Sequence, residues 1–382
     1  MDITGLLRAL RDRALWHDGR RVIVNAGLGA SQGWERTLAR YAGEDVDAGK
    51  ADALAAGLIQ HILSAEKVVQ IYDLEEAEVD VVRDWVARQT VPNSAFSAAF
   101  PESVDITGLS AKHPVLVANI SNGDGNFLVY TVIREYDVRE PVSLDGLSDA
   151  VKRAIGEFTS LVGMKKVRHQ VFDVLWVPPA GRAIVAAADA PKEMPFEFAL
   201  QSHSKLRSAI AEALGTRSTP VNLYYAIKNL YLSELGKVAR MSFVTDTGSV
   251  KQEHMRQDCL RVEPFHVGGS DAVSGAIYPY SISVKWNAGT PDELEWSPEL
   301  TIHGRAALVS STDPRVYEAV LRNSLNIGDL RVLVDNLMAL AAPTLSEVIV
   351  EVEPPVPMDS DSDLVENGAL RPAPVLQING QD

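Results

Sequence analysis

The order of apolar and polar positions along the chain predicts both helices and strands. β-branched runs at residues 20–27 and 67–74 predict strands, and helical patterns follow at 34–41, 51–63 and 75–88. Because strands separated by helices form parallel units, the first third is expected to hold a parallel or mixed sheet. An amphipathic helix is predicted before them, since apolar residues recur at helical spacing at Ile3, Leu6, Leu7, Leu10 and Leu15.

The middle third predicts two antiparallel hairpins. HPVLVANIS and FLVYTVIR flank the turn residues Asn-Gly-Asp-Gly at 122–125, and VRHQVFDVLWV and RAIVAAAD flank Pro-Pro-Ala-Gly at 178–181. Turn chemistry between two alternating runs is typical of hairpins. Helices are predicted at 148–162 and 196–214.

The last third predicts a small antiparallel sheet covered by helices. Its expected strands are KVARMSFVTD, CLRVEPFHV, AIYPYSISVKW and ELEWSPELTIHG, separated by Gly-containing turns. An aromatic-rich helix at 221–236 precedes them, and helices at 314–324 and 329–340 follow. The whole pattern therefore predicts an α+β protein.

Composition shifts divide this α+β chain into four expected regions. Residues 1–103 form an α/β-like region, 104–215 an α+β region with two hairpins, and 216–353 an antiparallel sheet with helices. Residues 354–382 are acidic and Pro-rich without periodicity, which predicts a disordered tail. Within the tail, APVLQI at 373–378 has the pattern of a strand that could add to a partner's sheet edge.

Charge and cysteine content limit the partners and the compartment. The formal net charge is −15, from 51 acidic and 36 basic side chains, and no dense basic patch offsets it. Such a field repels phosphate backbones, so nucleic acid is not the expected partner. One cysteine, no leader pattern and no membrane-length apolar run predict a cytoplasmic protein. Frequent arginine and alanine indicate a bacterial source.

A glycine-rich turn is the first candidate for chemistry. Gly27, Gly29, Ser31 and Gly33 follow a predicted strand and precede a predicted helix, where backbone amides could hold a nucleotide phosphate. The string GLGAS resembles the turn that opens sirtuin-like NAD-binding folds, which would imply a nucleotide cofactor. A plain strand-to-helix turn is the alternative, because the dinucleotide fingerprint needs glycine where Gln32 stands.

Two further stretches hold groups capable of chemistry. Asp173 and Asp189 fall on adjacent predicted strands with Lys192 nearby, which is the set that metal-dependent nucleases use; a hairpin ending in a turn is the alternative. Residues 249–275 hold Arg261, Glu263, His266 and His254 as candidates for a polar site. With Cys259, three of them could form a mixed metal site, but their spacing matches no closed zinc site and no metal is predicted. If 259–267 is a strand, Arg261 and Glu263 share a face.

Three function classes follow from these signals. The favoured one is a non-catalytic interaction component of a cytoplasmic bacterial multi-protein complex, because no strong catalytic motif occurs. The alternatives are a nucleotide-binding enzyme or sensor that uses the turn at 27–33, and a metal-dependent nuclease built on Asp173 and Asp189.

Overall fold

A computed structural model describes residues 2–109, 113–156, 160–191, 194, 196–273, 277–287 and 296–343. The predicted tail at 354–382 and Lys192 lie outside these residues. Within them the chain is an α+β protein, as the sequence predicts. Its helices are α1 Ile3–Arg11, α2 Trp16–Asn25, α3 Trp34–Tyr41, α4 Ala48–Ser64, α5 Glu76–Ala87, α6 Ala95–Ala99, α7 Asp149–Ile155, α8 Phe196–Leu214, α9 Tyr224–Leu232, α10 Pro264–Ala272 and α11 Ile327–Leu340.

Ten strands form one continuous sheet. They are β1 Lys67–Asp73, β2 Val115–Asn122, β3 Gly125–Val142, β4 Leu161–Val177, β5 Ala183–Asp189, β6 Lys237–Thr245, β7 Val250–His254, β8 Ile277–Lys285, β9 Glu299–His303 and β10 Ala319–Arg322. Their order is β2-β3-β4-β5-β1-β10-β9-β8-β6-β7. Every pairing is antiparallel, so the expectation of a parallel or mixed sheet is wrong.

The reason lies in what surrounds β1. This strand pairs with β5 on one side and β10 on the other, both distant in sequence and both antiparallel to it. Local alternation of helix and strand does not reveal partners at such separation. Both predicted hairpins are confirmed, since Asn122 pairs with Gly125 in β2 and β3, and Val174 pairs with Ala187 in β4 and β5.

The predicted strand at 20–27 is instead the end of α2. Gly19, Val22, Ile23 and Ala26 are buried, and their spacing of three, one and three residues is that of a helix face. Burial of this face therefore overrides the strand preference of the β-branched residues.

Two later predictions are also wrong. Residues 259–267 form a 3-10 turn at Leu260–Val262 followed by α10, because Pro264 occupies a first helical position and the Glu263 side chain caps the helix. Residues 314–324, expected as a helix, contain β10, whose backbone pairs with β1 and β9. The helix predicted at 148–162 is shorter, since α7 ends at Ile155 and β4 begins at Leu161.

Helices cover the sheet unevenly. One core lies between one sheet face and α1, α2, α4, α9 and α11, and it runs across both halves of the sheet. On the other face, α5 and α8 pack on the half formed by β1 to β5. Among the described helices, none is long and apolar enough to cross a membrane.

Candidate functional site

Arg261 binds four backbone carbonyl groups at the end of α9. Its Nε donates to O of Tyr231 at 2.9 Å, and its Nη atoms donate to O of Leu230, Leu235 and Gly236 at 2.7, 3.0 and 2.9 Å. The guanidinium fork presents its donors in a fixed geometry that suits this task. Arg261 thus holds its own turn against the end of α9, and it forms no pair with Glu263.

His266 ties α10 to two other elements. Its Nδ1 lies 2.5 Å from Oε2 of Glu253 on β7, and its Nε2 lies 2.9 Å from the hydroxyl of Tyr231 on α9. Glu263 accepts the backbone N–H of His266 at 2.6 Å as the helix cap. Burial, together with the carboxylate of Glu253, raises the pKa of Tyr231. The structure therefore brings Arg261, Glu263 and His266 together, and sequence reasoning missed Tyr231 and Glu253.

His254 is not part of this cluster, whereas Cys259 borders it, with its sulfur 3.8 Å from Nη1 of Arg261. His254 is exposed on β7, one residue after Glu253 and so on the opposite face of the strand. The Cys259 sulfur accepts the N–H of Val238 at 3.3 Å. Across the part of the chain that the structure describes, no group of three His, Cys, Asp or Glu residues is placed to hold a metal ion.

Apolar side chains are exposed on the segments that carry the Arg261 and His266 clusters. Phe265 is 82% exposed, Val262 71% and Leu232 65%. Their backbones belong to the segments that Arg261 and His266 tie together. We call this set the Phe265 surface, and its members are Leu232, Leu235, Val262, Phe265 and Val267.

The glycine-rich turn does not follow a strand. It joins α2 to α3, so the strand-to-helix setting expected for a nucleotide site is wrong. The N–H of Ser31 donates to the Thr37 hydroxyl at 3.0 Å, and the carbonyl of Gly29 accepts from the Tyr41 hydroxyl at 2.9 Å. Gly33 adopts a φ of 92° as the N-cap of α3, and Gly27 a φ of 71°. These groups shape a helix-to-helix turn, and this gives the nucleotide hypothesis no support.

Asp189 is the centre of a buried ion network. Arg13 donates to both of its carboxylate oxygens at 2.7 and 3.0 Å, and Lys67 donates to Oδ1 at 2.9 Å. The N–H of Phe172 donates to Oδ2 at 2.9 Å. Burial alone would raise the pKa of Asp189, but Arg13 and Lys67 outweigh it and hold that pKa well below its usual range.

Asp173 lies on the other face of the sheet from Asp189. Val174 and Ala187 are directly opposite on β4 and β5, so the residue before Val174 and the residue two after Ala187 point to opposite faces. Both oxygens of Asp173 accept from Arg134 Nη2, at 2.8 and 2.9 Å. The two carboxylates are buried, cation-paired and separated by the sheet, which gives the metal-dependent nuclease hypothesis no support.

A cleft of about 270 Å³ opens beside the Asp189 network. It lies between the turn that joins α1 to α2, the end of α4 and the start of β1. Burial and the nearby Arg13 lower the pKa of His61 in this cleft to about 3. Sequence reasoning missed this cleft; the available signal was a lysine at the first position of the predicted strand KVVQIYDL. Its charged and titratable lining residues are Arg11, Asp12, Arg13, Asp18, His61, Glu66 and His169.

No protein-family model, curated protein or solved structure matches this chain.

Proposed function

We propose that this chain is a non-catalytic binding component that docks a protein partner on the Phe265 surface. The observation that carries the proposal is the exposure of three large apolar side chains, at 82%, 71% and 65%, on neighbouring segments. Contiguous exposed apolar patches on soluble proteins are typical of interaction sites. Phe265 is the most exposed of the three, and aromatic residues including Phe are enriched at the cores of protein interfaces.

The rigidity of the surface supports the same function. Arg261 fixes the turn that carries Val262, and His266 fixes the helix that carries Phe265. A surface held in place before binding loses less conformational entropy when a partner docks. The side chains that were candidates for catalysis are engaged in structural hydrogen bonds; they are Arg261, Glu263 and His266.

Composition supports the compartment, the source and the type of partner that we propose. One cysteine and a net charge of −15 fit a component of a cytoplasmic bacterial complex. The acidic charge opposes binding to nucleic acid.

A charge placed on the Phe265 surface tests the proposal. Phe265→Glu removes the exposed aromatic group without touching the core, since Phe265 is 82% exposed. The matched control is Val81→Glu. Val81 is 46% exposed and lies on α5, a helix that packs on the other face of the sheet. Tagged wild-type protein should retain a defined partner in stoichiometric amount from its native extract, Val81→Glu should retain it equally, and Phe265→Glu should lose it.

Light scattering on the same three proteins separates a second copy of this chain from a different partner. A concentration-dependent wild-type dimer that Phe265→Glu converts to monomer would identify the partner as a second copy. The proposal is wrong if wild-type protein neither retains a partner nor self-associates, or if Phe265→Glu binds as well as Val81→Glu.

A further inference from the structure

Two buried cations beside the cleft share one carboxylate. Arg13 and Lys67 both bind Asp189, and both side chains are at most 5% exposed. Burial lowers the pKa of Lys67, although Asp189 opposes that shift. Two positive charges thus share one negative charge in a buried setting. Ions are poorly solvated there, and a charge without a counter-charge costs the most free energy.

The carboxylates that line the cleft do not correct this excess, because each has a cation of its own. The pairs are Asp12 with Arg11 at 3.0 Å, Asp18 with Arg21 at 3.3 Å, and Glu66 with Arg322. The charges of Arg13, Lys67 and Asp189 therefore sum to +1 when Lys67 is protonated, although the net charge of the whole protein is −15.

Hydrogen-bonding groups at the cleft are also unused. Nε of Arg13 and Nδ1 of His61 are buried, and neither has a hydrogen-bond partner among the residues described. His61 as a whole is only 2% exposed. Arg13 and His61 both line the cleft. Buried polar atoms without partners cost free energy, so these two residues have hydrogen-bonding capacity that the rest of the described protein leaves unused.

The start of α2 adds a third feature at the same place. Leu15 is the N-cap residue, and it offers no side-chain acceptor to the amides of the first helical turn. Leu15 also lines the cleft. Amides at a helix N-terminus carry partial positive charge and favour an anion.

We propose that this cleft binds a small molecule bearing a carboxylate or phosphate group, received by Arg13, His61 and the first amides of α2. The anion supplies the second negative charge that Arg13 and Lys67 lack, and its oxygens accept hydrogen bonds from the unused donors. A cleft of about 270 Å³ has room for a small molecule. The site is separate from the Phe265 surface and does not depend on it.

Melting temperature measured against anion concentration tests this site in the full chain. The probes are inorganic phosphate and acetate, each compared with chloride at equal ionic strength. We expect phosphate, acetate or both to raise the wild-type melting temperature saturably by a few degrees, because a ligand that binds only the folded state stabilises it. The stronger of the two identifies the anionic group.

Leu15→Asp tests the place of binding. Leu15 is 40% exposed, so the new carboxylate should cap α2 without disturbing the core, and it should repel the anion. We expect this variant to fold and to lose the saturable response. Leu109→Asp is the matched control, since Leu109 is 37% exposed and does not line the cleft, and it should respond as wild type does.

Substitution of two separate buried histidines tests the role of His61. His61→Leu should weaken the apparent anion affinity at least several-fold. His203→Leu removes another buried histidine, one with both ring nitrogens unpartnered among the described residues, and should leave the affinity unchanged. The proposal fails if neither anion exceeds chloride on wild-type protein, if Leu15→Asp responds like wild type, or if the two histidine variants respond alike. None of these outcomes bears on partner binding at Phe265.

Discussion

The backbone N–H of Asp189 donates to Oδ1 of Asp173 at 2.9 Å, and this bond links two residues whose carboxylates lie on opposite faces of the sheet. Asp189 holds Arg13 and Lys67 on one face. Asp173 holds Arg134 on the other, and Arg134 also contacts Ser202 of α8. The link therefore joins the helical layers on the two faces of the sheet through buried, charge-assisted hydrogen bonds.

Removing the charge of Asp189 should be strongly destabilising. Asp189→Asn leaves Arg13 and Lys67 buried without a counter-charge, and breaking a buried pair in this way costs about 3–5 kcal/mol. Urea denaturation measures the free energy of unfolding. The control is Asp80→Asn. Asp80 is 70% exposed and pairs with Arg83 at the surface, so its substitution should cost at most about 1 kcal/mol. Equal losses in the two variants would contradict the importance of the network.

Stability should fall on acidification because two histidines are buried in the neutral form. Burial, with nearby arginines, lowers the pKa of His61 and of His203 to about 3. The unfolded chain binds protons at these histidines near their ordinary pKa of about 6.5, so protonation favours unfolding. The stabilisation they give is complete above about pH 6.5 and is lost progressively as the pH falls towards 3.

Urea denaturation at about pH 7 and about pH 5 measures this loss, because most carboxyl groups of the unfolded chain are still ionised over that interval. Burial raises the pKa of Asp18 and of Glu66, which acts in the opposite direction. The difference between wild type and His203→Leu therefore isolates the histidine effect. Wild-type protein should lose more stability than the variant between the two pH values, and equal losses would count against a neutral buried His203.

Arg261→Lys should destabilise the end of α9 although it keeps the positive charge. A lysine cannot reach the four carbonyls with one fixed fork, and charge-assisted hydrogen bonds are worth about 1.5–3 kcal/mol. Denaturation gives the cost, and hydrogen exchange should show faster opening at Ser233 and Leu235, whose amides donate to O of Asn229 and to the Ser233 hydroxyl. Arg256→Lys is the control in the same segment, since Arg256 is exposed; a similar cost there would argue against the role of Arg261.

Gly125→Ala should weaken the first hairpin. Gly125 has a φ of 120°, and an added Cβ would lie 2.3 Å from the carbonyl oxygen of Val177. Such strain costs about 1–3 kcal/mol. Gly123→Ala in the same turn is the control, because an added Cβ there meets no atom within 4 Å. The thermal midpoint should fall for Gly125→Ala alone, and an unchanged midpoint would contradict the close approach.

Elements with strict periodicity were predictable from the sequence. The alternation around residues 122–125 and 178–181 gave both hairpins, because turn residues and strand patterns are local. The strand predicted at 259–267 was wrong because contacts distant in sequence decide the structure there. Its mixture of apolar and polar residues resembles a strand, but Pro264 and the capping carboxylate of Glu263 start a helix. Contacts of that helix with Glu253 and Tyr231 then hold it in place.

The candidate sites depended still more on distant contacts. The sequence by itself determined an α+β chain, its hairpins, its acidic charge and the stretch 249–275 as a cluster of polar groups. Only the tertiary structure decided that β1 lies between β5 and β10, that Asp173 and Asp189 face opposite ways, and that Arg13 and Lys67 share one carboxylate. Residues as far apart as Arg13 and Asp189 meet only once the sheet order exists, because periodicity fixes which face a side chain occupies but not which strand lies beside it.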